Sequence, residues 1–380
     1  MNIAIIGGGA SAHLASVLLA GRGHRVRIMS SRPNEWSHEL HLETVEGDLL
    51  SAEIDGVTSD VSSVIQDAQV AFLCMPVHQY PNALWKLIPA LARNRECVVG
   101  AIYGQGGVDW MVKGCCRKVG IPTLRHFAIG LLPWIARTQV YGRKVISYGP
   151  KYRNAIACSD ESVFELLQAN VLPDLSFNYW ACGAFEQVPN FLTLTLTVDN
   201  QIIHPSRCFS LANGNPGWKS EDDIPYFYRD FTVEAAEVLK GVDVDYTTVR
   251  TAYFKKFPHL DNAYNLDYLG LEHWSYGSHN PDVQSSFLNS KTLKDIKPPV
   301  VRTTAGLWEL DANHRFFKDD FAFGLEICKW FADKLGCAVP HVDKLIDWYR
   351  REMQPKQDKV LEAATPTWYG LENEVLCGIA

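Results

Sequence analysis

The chain opens on Asn2-Ile3-Ala4-Ile5-Ile6 and passes at once into Gly7-Gly8-Gly9-Ala10-Ser11-Ala12. An apolar, β-branched run with no polar interruption reads as a strand buried on both faces, the environment of a parallel sheet. The glycines permit a tight turn with outward-pointing amides, and Leu14, Val17 and Leu18 then recur at helical spacing up to Gly21. Strand, turn and helix start together make a cradle for a pyrophosphate, held by unpaired N–H groups and the positive end of the helix dipole. The match is G-x-G-x-x-A, with Gly7, Gly9 and Ala12, and with Gly8 and Ala10 in the same turn. The predicted fold class is α/β, with an N-terminal Rossmann dinucleotide-binding domain.

The next strand, Val26-Arg27-Ile28-Met29, continues into Ser30-Ser31-Arg32-Pro33, and no carboxylate follows until Glu35. An NAD site usually places Asp or Glu here to accept from the ribose 2′-hydroxyl. Two hydroxyls and a guanidinium suit a 2′-phosphate instead, by charge and by fork geometry. Ser30, Ser31 and Arg32 therefore point to NADP as the preferred cofactor, with NAD left open.

At 380 residues the chain suggests two domains. A net charge of −7 without a basic, aromatic-interleaved stripe argues against nucleic acid. No apolar stretch approaches the ~20 residues of a membrane span, so no membrane partner is expected. No basic region precedes an apolar segment at the N-terminus, and a secretion signal is not expected. Ten scattered cysteines without C-x-x-C read as reduced thiols of a cytoplasmic protein. His38 and His41 are three apart, not at H-E-x-x-H spacing, and no metal is predicted.

Further along, His41 to Ile54 alternates around Glu46-Gly47-Asp48 as a hairpin would, and Val61 to Ile65 reads as a short helix. Gln69 to Met75 is another buried strand, which sets Pro76 and Val77 at the carboxyl edge of the sheet, where ligands of open α/β sheets bind. Pro81 to Ala92 reads as a helix and Cys97 to Tyr103 as a strand, with Gly104-Gln105-Gly106-Gly107 after it. Strands are also expected at Leu124 to Ile129, Arg143 to Tyr148 and Leu175 to Trp180, and a helix start at Glu186 to Thr193. Beyond about residue 185 helical periodicity takes over. Phe321, Leu325, Cys328, Ala332 and Leu335 recur at helical spacing before Gly336, a C-terminal cap, and another helix is expected from Val342 to Glu352. Residues 1–185 are thus expected to form the Rossmann domain and residues 186–380 an all-α substrate domain closing on it.

Two blocks of the second half carry groups suited to chemistry: Asn200-Gln201-Ile202-Ile203-His204-Pro205 and Asn313-His314-Arg315-Phe316-Phe317-Lys318-Asp319-Asp320. By residue type alone His204 also suits a helix start or a core position. Arg315 and Asp320 are five apart, which disfavours a simple intrahelical ion pair. These blocks, the N-terminal fingerprint, the stretch from Leu132-Pro133-Trp134 to Gly142-Arg143-Lys144-Val145, and Asp343-Lys344-Leu345-Ile346 resemble the octopine/nopaline (opine) dehydrogenase family, in the same order over nearly the whole chain. The resemblance implies NAD(P)H-dependent reductive condensation of an α-keto acid with the amino group of an amino acid. It also implies roles: His204 as general acid, Asp320 as its orienting partner, Arg315 as the fork on a substrate carboxylate, and Gln105 beside the keto acid. His273, Trp274 and Tyr276 are candidates for the amine pocket. Members that accept a guanidinium carry Glu-Thr directly before Leu-Pro-Trp, where this chain has Gly130-Leu131, so arginine is not the expected amine.

Two other classes stay open from sequence: a single-carbonyl reductase of the ketopantoate reductase or glycerol-3-phosphate dehydrogenase type, and a non-catalytic NADP-binding sensor. The first typically uses a lysine on the first long helix of the second domain, and no lysine lies between Lys151 and Lys219. The second need not keep His204, Arg315 and Asp320 together. The oligomeric state is open, a homodimer included.

Overall fold

The computed structural model describes residues 1–175, 184–290, 292–353 and 364–378. It resolves into two compact units, Met1–Thr195 with Tyr369–Val375, and Leu196–Trp368 with Leu376–Gly378.

The first unit begins with β1 (Asn2–Ile6), α1 (Ala10–Ala20) and β2 (Arg25–Met29). A hairpin of β3 (Glu39–Thr44) and β4 (Leu49–Glu53) follows, then β5 (Gly56–Thr58), α2 (Val61–Ile65), β6 (Val70–Leu73) and α3 (Tyr80–Leu91). The chain continues through β7 (Val98–Ala101), α4 (Val108–Val119), β8 (His126–Ile129), β9 (Trp134–Val140), β10 (Lys144–Pro150) and β11 (Arg153–Cys158). It ends with α5 (Glu161–Asn170), α6 (Leu172–Leu175), β12 (Ala184–Gln187) and α7 (Phe191–Thr195).

The main sheet has the order β12-β11-β8-β7-β6-β1-β2-β5, and its central pairs are parallel. Ile3, Ala4, Ile5 and Ile6 are all buried, as a strand covered by helices on both faces must be. The chain leaves β1 toward β2 on one side and resumes at β6 on the other. The turn after β1 and the end of β6 therefore flank the topological switch point, where ligands of such sheets bind. A second sheet, β4-β3-β10-β9, carries the predicted hairpin and the Arg143–Tyr148 strand.

Glu186 and Gln187 do not start a helix. They belong to β12, which pairs with the otherwise open edge of β11, and the helix begins only at Phe191, after Pro189 and Asn190. Asn190 supplies the local signal, its side-chain oxygen accepting from the Thr193 backbone N–H. Leu175 closes α6 rather than opening a strand, and residues 176–180 of that expected strand lie outside the described residues. Strands β9, β11 and β12 went unread because each is short, polar on one face, or both.

The second unit is helical: α8 (Asn200–Ala212), α9 (Val233–Lys256), α10 (Tyr268–Tyr276), α11 (Val283–Leu288), α12 (Glu326–Leu335) and α13 (Pro340–Trp348). A small antiparallel hairpin, β13 (Val300–Arg302) with β14 (Trp308–Leu310), interrupts it. The helix expected through Phe321 and Leu335 is made of two kinds of turn. Phe316–Leu325 is π-helical, and α12 then runs to Gly336, which caps it at φ +70°. A π-helix closes its hydrogen bonds from i to i+5, is rare, and is found disproportionately at functional sites.

The π segment packs on α8, and Gly324 sets how closely. A Cβ built at Gly324 would lie 2.3 Å from the Gln201 Cβ, so any side chain there would force the two helices apart. Alanine would improve helix propensity by about 1 kcal/mol, but overpacking of this kind costs about 1–3 kcal/mol. Gly324→Ala is therefore expected to lower the thermal unfolding midpoint by a few degrees, and an unchanged or higher midpoint would show that this contact does not limit the packing.

Candidate active site

Beginning with the first unit, Gly7 and Gly8 in the turn after β1 are bare backbone because little else fits. Gly7 has φ +138°, and a Cβ on it would lie 2.1 Å from the Cys74 carbonyl oxygen at the end of β6. A Cβ on Gly8 would lie 2.5 Å from the Tyr141 hydroxyl, whereas the space beside Gly9 is open and Gly9 caps α1. Amides at a helix start with no side chain over them fit a dinucleotide pyrophosphate. Gly7, Gly8, Gly9, Ala10 and Ala12 are the residues that would hold it. Pro76 and Val77 lie at the carboxyl end of the neighbouring β6, where Pro76 precedes a short 3₁₀ turn.

At the end of β2, Ser30 is buried and Arg32 half-exposed. The Ser30 Oγ lies 3.1 Å from the Tyr141 hydroxyl and accepts from the Arg32 backbone N–H at 3.1 Å. The Arg32 guanidinium stacks 3.7 Å above the Tyr141 ring and pairs with Glu35 at 3.1 Å. Trp36 Nε1 also donates to the Tyr141 hydroxyl, at 3.3 Å. Tyr141, in the β9–β10 turn, is thus the organiser of this corner. It is a residue that sequence reasoning passed over because it lies in a turn far away along the chain.

Gln105 is buried in the loop between β7 and α4, where its Oε1 accepts from the Tyr103 hydroxyl. The start of α4 just after it is anchored by Asp109, which contacts buried His126 at 2.9 Å and Lys113 at 3.0 Å. Gly130 sits in a tight position. Its N–H donates to the Ala155 carbonyl at 2.7 Å, and a Cβ on it would lie 3.1 Å from Leu194 Cδ2 and 3.3 Å from that same carbonyl oxygen. A side chain at Gly130 would thus require the Leu194 side chain and the Ala155 carbonyl to give by a few tenths of an ångström.

His204, in the second unit, lies on α8 just before Pro205, which sits inside the helix. The side chain is 2% exposed. Its Nδ1 lies 2.7 Å from Asp320 Oδ2, its Nε2 lies 3.0 Å from the Tyr228 hydroxyl, and its ring stacks on Phe316 with centroids 3.6 Å apart. A carboxylate on Nδ1 holds one tautomer and one ring orientation. Burial pushes the Asp320 carboxyl well above the usual carboxylate range, the charge of Asp319 adds to this, and Arg315 opposes it. The pair thus holds a proton tightly in a dry setting.

Arg315 starts the π segment that carries Asp320. Its guanidinium lies 5.1 Å from the Phe316 ring and has no ion-pair partner among the described residues. His314, next to it, is pushed down to about 4 by burial, then by the charges of Arg315 and His204. His204, Arg315 and Asp320, predicted from two distant blocks, are brought together here. Tyr228 joins them, and it was missed because it stands in an aperiodic loop. Trp274 lies on α10, edge-on to Tyr264 at 6.0 Å, and His273 Nε2 is 2.8 Å from the Asn280 carbonyl oxygen. Tyr276 is exposed. Among the described residues no group of three or more His, Cys, Asp or Glu could hold a metal, and no helix is long and apolar enough to cross a membrane.

Comparison with known proteins agrees with both halves. Residues 187–353 match the family described as NAD/NADP octopine/nopaline dehydrogenase, alpha-helical domain, and residues 2–102 match NADP oxidoreductase, coenzyme F420-dependent. The chain is 23% identical over 375 residues to the octopine dehydrogenase of Pecten maximus, covering 93% of this chain and 90% of the relative. Among solved structures, octopine dehydrogenase with NADH and L-arginine superposes with a TM-score of 0.79 at 20% identity, covering 99% of this chain and 98% of the other. Yersinopine dehydrogenase with NADP+ superposes at 0.67 and 15% identity, covering 97% and 99%. A Rossmann half and a helical half match in this order: residues 187–353 carry the octopine/nopaline dehydrogenase alpha-helical domain, and the chain is an NAD(P)-dependent oxidoreductase similar to the octopine (opine) dehydrogenases over nearly its whole length.

Proposed function

We propose that this protein is an opine dehydrogenase that condenses an α-keto acid with the amino group of an amino acid and reduces the product to an N-(carboxyalkyl) amino acid. The observation that carries this reading is the buried His204–Asp320 pair, with the unpaired cation of Arg315 on the same helical segment. The two substrates are small molecules, and a cytoplasmic setting suits the unpaired thiols of the described cysteines. The unit Met1–Thr195 is assigned to the cofactor and the unit Leu196–Trp368 to the substrates, the division expected between residues 185 and 186 falling inside β12.

When bound, the reduced nicotinamide supplies hydride to the imine carbon. His204 is the general acid, delivering the proton needed to expel water from the condensation adduct, and Asp320 holds its tautomer and orientation. Arg315 offers a planar fork to the keto-acid carboxylate. Gln105 is assigned to the keto acid and Trp274 to the amine. The absence of a carboxylate at Gly130-Leu131, where the surroundings are already tight, supports an amine other than arginine.

NADPH is proposed as the preferred reductant. Arg32 stands on Tyr141 beside the Ser30 hydroxyl, a cation and a donor placed together at the end of β2. Its pair with Glu35 is solvent-exposed, and such pairs contribute only about 0–1 kcal/mol, so a 2′-phosphate can displace it. Arg32→Ala should weaken NADPH binding about ten- to a hundredfold, the worth of a charge-assisted hydrogen bond, while NADH binding stays within about twofold. Fluorescence titration checks this, and equal NADPH and NADH affinities in the unmodified protein would overturn the preference.

The reaction is tested by crossing keto acids with amino acids in the presence of NADPH and following absorbance and product mass. Cofactor oxidation should require both partners, with a product equal to their sum less water plus two hydrogens. Oxidation with the keto acid alone, yielding a 2-hydroxy acid, would move the protein to the single-carbonyl reductases.

His204→Ala should lower the rate by about 10²–10⁴-fold, the usual contribution of a positioned acid. Arg315→Ala should act on the keto-acid KM instead, raising it by about one to two orders of magnitude. Steady-state kinetics separate the two, and a loss confined to kcat in Arg315→Ala would count against the carboxylate role.

A further inference from the structure

We propose that Tyr228 is the group through which His204 passes its proton to the substrate, so that Asp320, His204 and Tyr228 form one relay, with Arg207 as the positioning residue that keeps Tyr228 in line. The proposal rests on the reading of His204 as the acid of a reductive condensation.

The imidazole has almost no free surface. Asp320 occupies Nδ1 at 2.7 Å, Phe316 covers one face at 3.6 Å, and Phe227 stands edge-on at 5.7 Å. The nitrogen that would serve the substrate is Nε2, and it lies 3.0 Å from the Tyr228 hydroxyl. A proton on Nε2 therefore leaves along that hydrogen bond. A phenol suits the task, because its oxygen accepts from an imidazolium while its own O–H donates onward.

The loop that presents Tyr228 is held at unusual cost. Arg207 lies three residues after His204 on α8 and is 2% exposed. It donates from Nε to the Phe227 carbonyl at 2.8 Å, and from Nη2 to the carbonyls of Tyr226 at 3.1 Å and Asp230 at 2.8 Å. Burial pulls this guanidinium down to about 10. A buried charge spent on backbone carbonyls either side of Tyr228 fixes that residue relative to the helix that carries His204.

The step balances. The adduct of keto acid and amine carries a hydroxyl and a nitrogen on one carbon. The Tyr228 O–H protonates that hydroxyl as the C–O bond breaks, the nitrogen lone pair forms C=N, and water leaves. Tyr228 recovers its proton from His204 Nε2, so the imidazolium becomes neutral and the positive charge moves to the iminium. The charged or titratable groups around the relay are Asp319, Arg315, His314, Cys208 and Tyr246.

The test uses the full-length protein with NADPH, a keto acid and an amino acid that the unmodified enzyme turns over. Absence of turnover in the unmodified enzyme with any such pair would overturn the relay together with the reading beneath it. Tyr228→Phe keeps the ring and removes the hydroxyl. Its kcat should fall about 10²-fold or more, with keto-acid KM and NADPH affinity within about twofold. Replacing Tyr228 by 3,5-difluorotyrosine makes the phenol more acidic, so the kcat–pH profile should move to lower pH. Arg207→Lys keeps the charge and loses the fork; it should cost rate alone and add little to Tyr228→Phe. A Tyr228→Phe enzyme within about threefold of the unmodified rate would overturn the relay and leave the opine reading intact. So would a fluorotyrosine profile that does not move, which also decides the matter if Tyr228→Phe fails to fold. Additive losses in the double variant would overturn the role of Arg207.

Discussion

The close approach of α8 to the π-helical segment Phe316–Leu325 governs the helical unit. Gln201 and Gly324 meet where a Cβ would lie at 2.3 Å, and His204 and Asp320, about one turn along each helix, come within 2.7 Å. Burying two ionisable groups is unfavourable unless they are paired, and removing one partner of such a pair typically costs about 3–5 kcal/mol. Everything else at the site follows from that contact. Phe316 can stack on the imidazole because the segment is already against α8, and Arg315 enters the same neighbourhood because it starts that segment. The i to i+5 closure of a π-helix brings residues five apart onto one side, which is the spacing of Arg315 and Asp320.

The Rossmann unit depends on a different economy of space. At Gly7 and Gly8 the backbone is kept bare by what lies opposite, the Cys74 carbonyl and the Tyr141 hydroxyl. Tyr141 comes from the second sheet, an addition to the dinucleotide fold, and its hydroxyl and ring organise Ser30, Trp36 and Arg32 at once. Ser30, Trp36 and Arg32 are therefore set by a turn more than a hundred residues downstream of them, and the same Tyr141 hydroxyl closes the space beside Gly8, although the strand, glycine turn and helix start are themselves contiguous in the chain.

Legibility followed the range of the interaction. The β1 strand, the glycine turn and α1 are contiguous, and β-branched burial, glycine and helical spacing all act within a few residues. His204, Arg315 and Asp320 could be picked out because each stands in a block that resembles a family. Tyr228 and Tyr141 could not, since nothing in an aperiodic loop or a hairpin turn announces a hydroxyl partner far along the chain. Glu186 and Gln187 misled for a similar reason: their composition permits a helix, but the open edge of β11 recruited them as a strand. The π-helical turns were hidden too, because residues 321–335 satisfy an α-helical pattern equally well in sequence.

What the sequence determined by itself was the class of molecule: a parallel, nucleotide-binding first half, a helical second half, and a histidine, an arginine and an aspartate in an order that implies reductive condensation. The two halves are matters of local periodicity and turn chemistry, whereas the three residues and the reaction are what the resemblance of their blocks to a family implies. Only the tertiary structure decided that Asp320 and Tyr228 take opposite nitrogens of one imidazole, that Arg207 is a clamp on a loop and not a surface charge, and that Gly130 is tightly surrounded by Leu194 and Ala155. The physical reason is that burial and hydrogen-bond partnership are set by which segments pack together. Those pairings span 116 residues between His204 and Asp320 and 24 between His204 and Tyr228, beyond the reach of any local pattern.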